Sequence, residues 1–165
     1  MVGHSFVYWL DDFLKKNPSK DCMNLHRSEM CFYGMRGGRV YNVVKTWRAQ
    51  IEHDRPDMIL LVIGDNDVDS MLDMEALAKL IVGKARLWHQ LTGADVAVSA
   101  LFPRYPPSQQ VKWSYSETYN DCAMLVNFEM GRLLQGNATI KLWKHPFVFP
   151  NERFDVAGKG DRYLT

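Results

Sequence analysis

The sequence predicts a three-layer α/β/α domain, a parallel sheet of about five strands with helices on both faces. Three observations lead there. Short apolar runs alternate along the chain with segments of helical periodicity. The connections between them are short, which favours repeated strand–helix–strand units. The most apolar run, Met58 to Ile63, has strand length and no polar interruption, the pattern of a central strand buried on both faces.

Taken in order, the first strand would be Met1-Val2, which is too short to sit in a sheet. Phe6, Trp9, Leu10 and Phe13 then recur at helical spacing, and Asn17-Pro18 closes that helix. Met30-Cys31-Phe32-Tyr33 reads as a strand ending at Gly34. After Gly38, the residues Val40, Val43, Val44, Trp47 and Ile51 form a second helical stripe, broken at Arg55-Pro56. A third helix follows the Met58–Ile63 strand, with Leu77, Leu80, Ile81, Trp88 and Leu91 on its inner face and an end near Gly93. Val96 to Phe102 is the next strand. The fourth helix carries Tyr119, Cys122, Ala123, Val126, Met130 and Leu133, and Thr139 to Trp143 is the last strand. The tail from Pro150 is loop-like. The chain reads as one domain over residues 1–165, trimmed at both ends.

Composition sets the outer limits. A chain of 165 residues, 47% hydrophobic and 24% charged, can bury a sizeable core as one domain. Its formal net charge of +1 creates no field that would gather nucleic acid or anionic lipid. Cys22, Cys31 and Cys122 lack metal-ligand spacing and read as free thiols of a reducing compartment. No secretory leader and no apolar run of membrane-spanning length is evident, so the expected location is cytoplasmic. No cofactor or metal is implied, although Asp65 and Asp67 would suit a hard cation if further ligands joined them.

In open parallel sheets, ligands bind outside the carboxyl ends of the strands. Three loops with unusual chemistry fall at such ends. Gly3-His4-Ser5 follows strand one and opens a helix, where free N–H groups and the helix dipole favour developing negative charge. Gly34-Met35-Arg36-Gly37-Gly38 follows strand two, and its glycines let backbone N–H groups turn toward a ligand. Gly64-Asp65-Asn66-Asp67 follows strand three and offers an amide donor in Asn66. One hydroxyl with two or three convergent donors is the minimum equipment for acyl transfer. Simpler explanations stand beside this one: Ser5 as a helix N-cap, the glycines as turn residues, and Asp65 to Asp67 as turn and cap residues.

These three blocks resemble those of the SGNH hydrolases, also called GDSL-type esterases. Gly3-His4-Ser5 is similar to the family's Gly-Asp-Ser core, with His4 in the acid's place, and Gly64-Asp65-Asn66-Asp67 matches its Gly-x-Asn-Asp block fully. The resemblance spans Val2 to about Trp143. It implies a flavodoxin-like fold and hydrolysis of lipid or carbohydrate acyl esters. It makes Ser5 the nucleophile and one N–H donor, Gly37 (with Gly34 as the weaker match) the second donor, and Asn66 the side-chain donor; Asp67 would hold the loop. The stretches VGHSFVYWL and LFPRYPP are further similar in style to SGNH-like domains of animal retroelement proteins.

The family's final Asp-x-x-His, which supplies the base, has no counterpart: Gly158 stands three after Asp155, and Leu164 three after Asp161. A base would then come from past Thr165 or from His145, a substitute that follows the last strand toward the correct edge. His4 neighbours Ser5 and reads as a surface or supporting residue, since adjacent side chains diverge. His26, His53 and His89 read as solvent-exposed. Three functions follow: an acyl-ester hydrolase acting on a small-molecule or lipid ester, an inactive binding module of the same fold, and a nucleic-acid accessory domain. The last would use residues such as Arg36, Arg39, Arg104, Tyr105, Lys112 and Trp113, but the near-neutral balance argues against it. The aromatic-rich stretch from Pro103 to Tyr119 either lines the acyl pocket or packs on a helix. Oligomeric state is not legible.

Overall fold

A computed structural model describes residues 1–17, 30–70, 73–104 and 113–144, with 113–117 as helical backbone only. Five parallel strands form one sheet in the order β2-β1-β3-β4-β5. They are β1 (Val2–Gly3), β2 (Tyr33–Gly34), β3 (Met58–Val62), β4 (Asp95–Ser99) and β5 (Ile140–Trp143). Four helices alternate with them: α1 (Ser5–Lys16), α2 (Val40–Asp54), α3 (Met74–Thr92) and α4 (Trp113–Leu134). This is the flavodoxin-like doubly wound order, in three layers.

The layers follow from the side-chain alternation. Val2, Ile59, Leu61, Val96, Val98 and Ile140 point to one face, into a core with Val43, Leu77, Ile81, Trp88, Val126 and Met130 of α2, α3 and α4. Those three helices pack side by side, α3 in the middle. The chain runs outward from β1 to β2, then crosses back past β1 to β3. Right-handed crossovers therefore put α1 on the opposite face, where it covers β1 and β2 and buries Val7 beside Val62.

Several sequence expectations change. The first strand is Val2–Gly3, and despite its length it sits inside the sheet, paired with both β2 and β3. Its neighbours extend the ladder: the His4 N–H donates to the Val62 carbonyl (3.1 Å), Tyr33 N–H to Met1 O (2.9 Å) and Met35 N–H to Gly3 O (2.9 Å). Bonding on both flanks holds a strand that would be marginal at an edge. β2 is shorter than the run Met30–Tyr33, since only Tyr33 and Gly34 pair. Met58 opens β3 but is 66% exposed, and Leu91 lies at the rim of α3. Ser5 is not an N-cap: His4 holds that position, with its ring accepting from Phe6 N–H.

No helix among the described residues is long and apolar enough to cross a membrane. Cys31 and Cys122 are free thiols.

Candidate active site

The strand order reverses between β1 and β3, so the crevice of such a sheet opens at the carboxyl ends of these two strands. The residues that follow them are His4-Ser5 and Gly64 to Asp67, the first and third of the sequence blocks. The second block follows β2, next to β1. Two side-chain hydrogen bonds tie the three together. His4 Nε2 lies 2.7 Å from Asp65 Oδ2, both residues buried, and the Asn66 amide donates to the Gly38 carbonyl at 3.0 Å.

His4 is bound at both ring nitrogens. Nδ1 accepts the Phe6 N–H at 3.2 Å, so Nδ1 carries the lone pair and Nε2 carries the proton donated to Asp65. Of the two expectations for His4, surface or supporting, the surface placement does not hold: it is 6% exposed and caps α1. With both nitrogens engaged, it has none left to take a proton from Ser5.

That cap changes the standing of Ser5. Side chains at helix N-caps accept from the first-turn N–H groups, but here the imidazole does so, and Ser5 is the first helical residue. Its hydroxyl has no hydrogen-bond partner among the described residues, and its N–H has no backbone acceptor. A serine with a half-exposed, unengaged hydroxyl at a helix N-terminus is available to chemistry in a way an N-cap serine is not.

The two glycine candidates differ. Gly37 is exposed, has a left-handed φ of +62°, and a Cβ added there would meet nothing within 4 Å. Its N–H has no backbone acceptor among the described residues. Gly34 instead lies under α1, where an added Cβ would come within 2.2 Å of the Tyr8 nitrogen. Gly34 is a packing residue and Gly37 a free donor. Asn66 is partly buried, and one of its two amide hydrogens is spent on Gly38, which fixes the plane of the amide and leaves the other.

Asp65 is a hub. Beyond His4, its Oδ1 accepts from the Phe102 N–H (3.1 Å) and the Tyr119 hydroxyl (3.1 Å), while its backbone carbonyl accepts from the Arg104 guanidinium (2.7 Å). Arg104 lies over the Tyr119 ring at 3.9 Å and pairs with Asp69 at 2.8 Å. Burial and then the Asp65 charge push the Tyr119 hydroxyl well above the usual tyrosine range, which keeps it a donor. Asn120 and Asn127 each bracket the backbone after β4, Asn120 on Arg104 and Asn127 on Leu101. The sequence offered no signal for this set, whose hydrogen-bonded partners stand 16 to 61 residues apart.

Asp67 Oδ2 accepts from the Val40 N–H at 3.1 Å, so a carboxylate from the third block meets the N-terminus of α2. Burial nonetheless raises the Asp67 carboxyl above the usual aspartate range, more than the Val40 N–H and the Arg39 charge lower it, and Asp65 adds to the rise. Between the unfolded and folded values the folded state binds more protons, so stability falls as pH rises through that interval. Asp67→Asn keeps an oxygen for Val40 and removes the buried charge. Urea titrations across acid to neutral pH are expected to show the variant at least as stable as the parent at pH 7, with the falling slope lost. A variant clearly weaker at pH 7 would mean that the charge on the α2 terminus outweighs its burial.

Among the described residues no three His, Cys, Asp or Glu side chains are grouped to hold a metal ion, and both Asp65 oxygens are already used. His89 bonds the Ala94 carbonyl and His53 ends α2, both at the opposite edge of the sheet from Ser5. His145 and His26, and residues 105–112 of the aromatic-rich stretch, lie outside the described residues. Of that stretch, Pro103, Arg104, Thr118 and Tyr119 are described with their side chains, and Arg104 and Tyr119 pack against the Asp65 hub. The sequence matches no protein-family model and no curated protein.

Proposed function

We propose that the chain is a serine-dependent acyl-ester hydrolase of the SGNH type. The observation that carries this reading is Ser5 itself: a hydroxyl without a partner among the described residues, on the first residue of α1, at the reversal point of the sheet. In the proposed reaction Ser5 Oγ attacks the ester carbonyl carbon and gives its proton to a base. The oxyanion is held by the N–H groups of Ser5 and Gly37 and by the free amide hydrogen of Asn66. Collapse expels the alcohol with the proton, and water then releases the acyl group from Ser5. The substrate class is a lipid or carbohydrate ester, and no cofactor enters.

His145, two residues past the end of β5, is the first base to test. Hydrolysis of a short-chain chromogenic ester is the assay, with the 165-residue chain beside Ser5→Ala and His145→Ala. Ser5→Ala is expected to lose the serine-dependent rate, a drop on the order of 10⁴-fold or more, with its thermal unfolding unchanged. Turnover that survives Ser5→Ala would remove the proposal.

One observation favours a second reading, a binding module of the same fold. His4 is bound at both nitrogens, and no other histidine among the described residues lies at the Ser5 edge. A parent chain without turnover, unaffected by Ser5→Ala, would select this reading.

A further inference from the structure

We infer that His4 is a positioning residue of the Ser5 site, tying the helix that carries Ser5 to the loop that carries Asn66. The inference rests on the reading of Ser5 as nucleophile and adds to it a residue that does not touch the substrate. The geometry is two-ended. Nδ1 takes the Phe6 N–H at 3.2 Å, one residue after Ser5, and Nε2 gives its proton to Asp65 at 2.7 Å, one residue before Asn66. No other side chain among the described residues bonds the start of α1 to the loop after β3.

The first bond releases Ser5. An N-terminal turn leaves N–H groups that a nearby hydroxyl would satisfy. With the imidazole filling that role from His4, the Ser5 hydroxyl stays unengaged. The second bond sets register. Asp65 is itself fixed by the Phe102 N–H and the Tyr119 hydroxyl, so His4 is anchored to a carboxylate that cannot swing. Ser5 and Asn66 thereby keep one relative placement while their strands are only two and five residues long. Preorganised donors are worth most when nothing must move as charge develops.

The test compares parent, His4→Ala and His4→Asn by the rate at which a fluorophosphonate probe labels Ser5 in the full chain. Asparagine is a good N-cap but too short to reach Asp65, so it restores one bond of the two. Probe concentration is varied to separate the maximal labelling rate from the half-saturating concentration, and circular dichroism reports the folded fraction. His4→Ala is expected to lower the maximal rate at least about tenfold, with the half-saturating concentration little changed and the protein folded. His4→Asn should recover part of that loss. Variants that label at the parental maximal rate would overturn the positioning role and leave Ser5 as nucleophile. Should His4→Ala fail to fold, His4→Asn carries the same comparison. A parent that never labels at Ser5 would instead remove the reading beneath it.

Discussion

Gly34→Ala is expected to destabilise the fold by about 3 kcal/mol or more, the upper end of what overpacking a core does. An added Cβ would stand 2.2 Å from the Tyr8 nitrogen and 2.4 Å from its Cα. These are backbone atoms of α1, so no side-chain rotation relieves the contact, and the helix must lift away from β2. The helix would take Ser5 with it. In a domain of this size that loss lowers the thermal midpoint by roughly 10 °C. Gly83 is the internal control. It lies in the middle of α3, and a Cβ there meets nothing within 4 Å. Gly83→Ala should therefore stabilise the chain, by about 0.5–1 kcal/mol, through helix propensity alone. Differential scanning calorimetry of both variants decides the matter. A Gly34→Ala protein melting within a degree or two of the parent would mean that α1 can slide on the sheet, and that Ser5 is not rigidly placed by its packing.

The pair of glycines also shows where sequence reading stops. That a glycine stands after β2 is legible; which glycine faces solvent and which faces a helix is not. Gly34 and Gly37 are the same residue in a string. Only the path of α1 over β2 separates them. The helices were the most legible elements because an apolar stripe repeats every turn. Val43, Leu77, Ile81, Val126 and Met130 of the predicted stripes are buried, whereas Phe6, Trp9 and Phe13 of the first stripe are exposed and α1 buries Val7 and Leu14 instead. β1 was the least legible, since two residues carry no period. Its place in the sheet comes from partners some 30 and 60 residues away.

The site divides in the same way. Ser5, Gly37 and Asn66 stand out because loops at strand ends can be read from the strands before them. His4 does not, for a reason that is physical. Its neighbour in sequence is Ser5, and the expectation that the two side chains diverge is correct, but divergence sent His4 inward to Asp65 rather than out to water. A hydrogen bond spanning 61 residues leaves no local signature. Asp65, read from sequence as a turn residue, proves to be the centre of the set.

Asp65→Ala carries the second large effect. It strips a partner from three buried or partly buried donors at once: His4 Nε2, the Phe102 N–H and the Tyr119 hydroxyl. Leaving such groups unpaired typically costs about 1–3 kcal/mol each, partly recovered by relaxation or entry of water. The expected loss is about 3–5 kcal/mol, read as a fall in the urea midpoint with the slope unchanged. Tyr119→Phe removes a single donor and leaves Asp65 with two others, so about 1 kcal/mol is expected for it. Because both variants delete the same bond, their effects should not add. The double variant ought to be little worse than Asp65→Ala, since phenylalanine no longer brings an unpaired hydroxyl into the hub. Full additivity would show that Tyr119 and Asp65 do not share a bond in solution. An Asp65→Ala variant as stable as the parent would go further, because the loop bearing Asn66 would then be held without the Asp65 carboxylate, by Asn66, Asp67 and Arg104, and His4 would have nothing fixed to hold.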